Sequence, residues 1–222
     1  PKDVAPKVDA DSAKLAATLK FDGQTTLQLI EMLQLNDRDR RDRAKRTLQD
    51  KVPTGLIVAG MQQVDDDGVR EELFAVLHKK GQRLRRNPDD TAAAAVPVLA
   101  AATKGTSERV RHLAAAALGT YGRARPGVAV TALVDALEDE EIRSDAAFAI
   151  RALGVEHIAA AAPALRKVLQ KPWPADLVEL DAREEVSFRD RIIYVLSASR
   201  EGALSALPEL INALRRGPPK VH

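Results

Sequence analysis

The 222-residue chain carries 34 lysines and arginines against 32 aspartates and glutamates, and only 3% of it is aromatic. A net charge of +2 is too small to name nucleic acid as the partner, and the lack of cysteine excludes disulfides and thiolate metal sites. No apolar stretch reaches the roughly 20 residues that span a bilayer, so the chain reads as soluble, with a core of small and aliphatic side chains suited to close-packed helices rather than sheets.

In chain order, residues 1–23 read as a capping segment, with "SAKLAATLKF" as its amphipathic helix. From residue 24 to 216 one pattern recurs. A first amphipathic helix ("TTLQLIEMLQ", "PTGLIVAGMQQ", "DTAAAAVPVLAAAT", "RPGVAVTALVDALE", "VEHIAAAAPALRKVLQ") precedes a second helix with a fixed grammar. The second helices read "RRDRAKRTL" (40–48), "VREELFAVL" (69–77), "VRHLAAAAL" (110–118), "IRSDAAFAI" (142–150) and "FRDRIIYVL" (188–196). Each has arginine second and leucine or isoleucine last. Four residues before each arginine stands a capping or acidic residue, Asp37, Asp66, Ser107, Asp139 and Glu185 in turn. A polar cap followed by a periodic apolar face is the signature of a helix start. The second helices are therefore expected near 38–50, 67–80, 107–121, 139–153 and 184–199. Their arginines are 29, 41, 32 and 46 residues apart, an irregular period within the range of helical repeats. Gly, Pro and Asp punctuate the joints. Alanine runs at 114–117 and 159–162 let helices approach closely. "REGALSALPELINALRR" reads as the first helix of a sixth unit, either a cap or the start of further repeats, and 217–222 as a tail.

Two stretches break the regularity. "HKKGQRLRRNP" gathers Lys79, Lys80, Arg83, Arg85 and Arg86 between the second and third hairpins, where it reads as a basic loop able to hold phosphate or an acidic protein surface. "KPWPADLVELDAREEVS" (171–187) reads as a loop inside the fifth hairpin, holding the only tryptophan, Trp173, between two prolines. Tryptophan is enriched at binding hot spots, and the alternative is that the indole covers an apolar edge. The arginines of "RDRRDRAKR" alternate with Asp37, Asp39 and Asp42, which suits self-paired surface charge.

Nothing in the chain spells catalysis. Nucleotide-binding glycine loops and the GxSxG serine motif are absent, and His78, His112, His157 and His222 form no HExxH pair, so neither metal nor cofactor is expected. The carboxylate clusters at 65–67 and 138–141 fall at helix starts, where negative charge is favourable in itself.

The hairpins resemble HEAT repeats, especially the short bacterial HEAT-like or phycobilisome-lyase-like kind, on the strength of the acid, Val-Arg and small-residue sequence of their second helices. The resemblance implies an all-α, right-handed α-solenoid of five to six hairpins. It also implies that Arg41, Arg70, Arg111, Arg143 and Arg189 pair with acids of the same or the next repeat as a ladder. The first copy departs from the pattern, with Arg40 where an aliphatic belongs. The expected function is a non-enzymatic scaffold for another protein, whose contacts are Arg38, Arg43, Lys79, Lys80, Arg83, Arg85, Arg86, Arg109 and Trp173. Nucleic-acid backbone binding and a bilin-lyase-type subunit are the alternatives. The expected compartment is the cytoplasm, with a removed targeting segment left open.

Overall fold

The computed structural model describes residues 10–84, 90–171 and 179–198, together with Leu204, Leu207 and Pro208; the side chains of 179–184 are outside the description. Within these residues the protein is all-α, with eleven α-helices and one two-residue-per-strand hairpin. Helix α1 (Ala10–Thr18) is followed by the hairpin (β1, Lys20–Phe21; β2, Gln24–Thr25) and then by α2 (Thr26–Glu31) and α3 (Arg38–Asp50). Next come α4 (Thr54–Met61), α5 (Asp67–Leu84), α6 (Ala95–Ala102), α7 (Glu108–Tyr121) and α8 (Pro126–Ala136). The last three are α9 (Arg143–Leu153), α10 (Val155–Gln170) and α11 (Glu179–Ser197). No described helix is long and apolar enough to cross a membrane.

Odd- and even-numbered helices form two rows. Along one row α3 packs on α5, α5 on α7, α7 on α9 and α9 on α11. Along the other α2 packs on α4, α4 on α6, α6 on α8 and α8 on α10, while α1 lies against α2 and α4. The core fills the space between the rows, and the recurring phrase shows why. Its closing residues, Leu48, Leu77, Leu118, Ile150 and Leu196, are all fully buried. Its opening residues Val69, Val110, Ile142 and Phe188 are buried too, whereas Arg40 at the same place in the first copy is exposed and turns back to Asp37 at 3.3 Å.

The alanine runs act as spacers. Ala114, Ala115 and Ala117 of α7 and Ala146, Ala147 and Ala149 of α9 are buried, so the two backbones come close together. At Gly119 even a methyl group would lie 2.9 Å from Ala149 Cα.

Helix starts follow the expected chemistry in part. Asp37 accepts from Arg40 N (3.1 Å), Asp66 from Val69 N (2.8 Å) and Ser107 from Val110 N (3.4 Å). Asp139 instead shapes the turn before α9, accepting from Glu141 N at 3.1 Å. Glu185 starts nothing, because α11 is already under way at Glu179.

Two expectations need correction. Residues His78–Leu84 are not loop: α5 continues through them, so Lys79, Lys80 and Arg83 ride on its last turns. Gly81 lies within this run, and its lack of a side chain leaves room for the buried ring of Tyr121, 2.8 Å from where its Cβ would be. Likewise 179–187 is helical rather than an acidic loop. Arg85, Arg86 and Trp173 lie outside the described residues, as does nearly all of the proposed sixth unit.

Candidate functional site

The arginines of the recurring phrase do two jobs where the pattern is complete. Arg111 Nη1 donates to the carbonyls of Gly105 and Thr106 in its own hairpin's turn, each at 3.3 Å, and its Nε lies 3.0 Å from Asp139 of the next hairpin. Arg143 Nη2 reaches Glu185 of the hairpin after that at 2.9 Å. Arg189 Nε donates to the other oxygen of Glu185 at 2.7 Å, and its remaining nitrogens donate to Leu169 O and Lys171 O, at the end of α10. Those carbonyls belong to a helix terminus that has no intrahelical partner for them. Glu185 and Arg189 are both buried, so their charges depend on each other.

The first two copies lack this linkage. Among the described residues Arg70 pairs with exposed Asp67 of its own helix start (3.3 Å), and Arg41 makes no ion pair. Ser107 stands where the third copy would need an acid. Glu71 reaches across from α5 instead, accepting from Ser107 Oγ at 2.6 Å with Arg109 Nη1 3.9 Å away.

The proposed contact residues are scattered. Arg38 and Arg43 are exposed on the early turns of α3, and Arg38 approaches Asp42 at 3.9 Å. Arg109 sits at the start of α7. Lys79, Lys80 and Arg83 are at the far end of α5, beside the end of α3, a helix about 20 Å long at 1.5 Å per residue. Lys79 is exposed. Lys80 is buried and donates to Gln49 O at 3.2 Å, so it belongs to the packing rather than to the surface.

Arg83 is ion-paired with Asp50, and Lys51 with Asp22. Asp50, Lys51 and Arg83, with Asp90, Thr91 and Pro53, line an open cavity of about 500 Å³. Its cations are already engaged by the protein's own carboxylates and carbonyls. The Lys51 ammonium, hydrogen-bonded to Asp22, holds that carboxyl below the usual aspartate range. Asp22 (φ 51°) and Gly23 (φ 82°) form the hairpin turn, and the Asp-Gly pair in the sequence is the signal for it.

A second surface was not legible as a unit. On α9 and α11 two arginines and two rings interlock: Arg151 lies 4.1 Å from the Tyr194 ring and Arg191 4.4 Å from the Phe148 ring. Each helix supplies one ring and one cation three residues apart, and each cation covers the other helix's ring. Phe148 and Tyr194 remain 47% and 49% exposed. Arg143 over buried Phe188 (4.4 Å) continues the same pairing inward. The only available signal was the spacing itself, "FAIR" on one helix and "RIIY" on the next.

Beside this surface, His112 Nδ1 and Asp145 Oδ2 are 2.6 Å apart, joining α7 to α9. On α5, burial lowers the pKa of His78 below the ordinary imidazole value, with Asp145 opposing and Lys79 reinforcing the shift. Its Nδ1 is buried without a hydrogen-bond partner.

No protein-family model matches the chain, and comparison with curated proteins and with solved structures finds no match.

Proposed function

We propose that the chain is a non-enzymatic scaffold of HEAT-like helical hairpins, stacked as an α-solenoid, that holds another protein on the row formed by α3, α5, α7, α9 and α11. The consecutive packing within each row, and arginines that tie one hairpin to the next, support the repeat reading. A repeat unit cannot bury its apolar face alone, and stacking is what completes the core.

The observation that carries the binding reading is the crossed quartet of Phe148, Arg151, Arg191 and Tyr194. Aromatics and arginine are the residues enriched at the centres of protein interfaces. A guanidinium lying on a ring keeps its edge donors for a carboxylate, so the fitting partner presents acidic and apolar side chains together. Such a surface is held by two packed helices before any partner arrives, and little ordering entropy is lost on association.

The test is affinity capture from the source cell with the intact chain and two variants. One carries Phe148→Ala with Tyr194→Ala. The other carries Lys79, Arg83, Arg85 and Arg86 changed to glutamate. A protein retained by the intact chain and lost with the aromatic pair is the expected result. Loss confined to the glutamate variant moves the contact to the end of α5. Recovery of nucleic acid, with binding that falls steeply as salt rises, overturns the reading.

A further inference from the structure

We propose that Glu108, His112 and Glu141 form a divalent transition-metal site that ties α7 to the turn before α9. Glu108 and His112 are one helical turn apart on α7, and Glu141 comes from the Asp139–Ile142 turn. One ligand atom of each lies within 4.8 Å of the other two.

His112 Nδ1 sits 2.6 Å from Asp145 Oδ2. With the proton on Nδ1 in that bond, Nε2 is left as the ring's free ligand atom, on the side of Glu108. Nε2 is 3.7 Å from Glu108 Oε1, too far for a hydrogen bond. A lone pair beside a carboxylate is repulsive unless a cation lies between them, and Glu141 is close enough to share that cation. Two ligands on a tetrahedral ion with bonds of about 2.0–2.1 Å are about 3.3 Å apart, so a small rotation of exposed glutamate side chains closes the set. The carboxylate on Nδ1 is the outer partner that fixes the tautomer and orientation of metal-bound histidines. One imidazole with two carboxylates suits zinc and its neighbours rather than calcium or magnesium. The rest of the coordination sphere faces water.

The competing occupant is a proton, which would make His112 an imidazolium among three carboxylates. Isothermal titration of the metal-stripped chain with zinc, and cobalt titration followed by visible absorption, separate the two. One zinc per chain is expected, with a cobalt ligand-field band of low symmetry. Both signals should vanish in His112→Gln and in Glu141→Gln, and persist in Glu140→Gln, an exposed neighbour. In Asp145→Asn the affinity should fall about tenfold to a hundredfold while the helical circular dichroism stays unchanged. Absence of binding by the intact chain, or binding that survives His112→Gln, overturns the proposal. The outcome is independent of whether the scaffold reading holds.

Discussion

Glu185 is the residue on which most depends at the smallest scale. It is buried, it accepts from Arg189, and it also receives Arg143 from the neighbouring helix. Removing one partner of a buried ion pair leaves an uncompensated charge and costs about 3–5 kcal/mol. Glu185→Ala should therefore destabilise the protein by about that amount in urea titration. Arg70→Ala, whose partner Asp67 is almost wholly exposed, should cost under about 1 kcal/mol; equal losses would refute the distinction. His78 makes a second prediction, with the opposite kind of dependence. Its folded pKa lies below the unfolded value of about 6.5. The unfolded chain thus takes up the proton first, and stability must fall as pH drops from about 6.5 toward the folded pKa. Urea midpoints at about pH 7.5 and about pH 5.5 should differ less in His78→Gln than in the parent, and an undiminished difference would exclude His78 as the source.

At the scale of the element, close approach is the quantity to test. Gly119→Val places a branched side chain where a methyl group would already lie 2.9 Å from the Ala149 backbone, and overpacking of this kind costs about 1–3 kcal/mol. Gly127→Ala, with open space around it, serves as the control and should be nearly silent. The same helices show what the sequence could and could not reveal. The phrase that opens with an apolar residue and arginine and closes with leucine or isoleucine was readable because its first and last apolar places are buried in the copies that follow the pattern. The run of α5 through Gly81 was hidden because the reason for that glycine is Tyr121, forty residues away in the chain. The start of α11 was hidden because Glu185 looks like a cap until two arginines are found around it. The quartet on α9 and α11 is a relation between helices, and no single segment contains it.

For the whole molecule, each helix along a row packs on the next but one in the chain; if the proposed repeat reading holds, stability is shared between neighbouring hairpins rather than spread evenly. Helices α7 and α9 are packed on both sides and charge-linked forward, whereas α3 carries exposed Arg40 where its later counterparts are buried. Amide exchange should be slowest in α7 and α9 and faster in α3; uniform protection along the row would contradict this. The crossed quartet has one more consequence. Two half-exposed rings side by side are an invitation to aggregate, and Arg151 and Arg191 lie across them like shutters. If the proposed scaffold reading holds, the guanidiniums that meet an acidic partner also put charge over both rings, and a partner has to engage that charge before it reaches them.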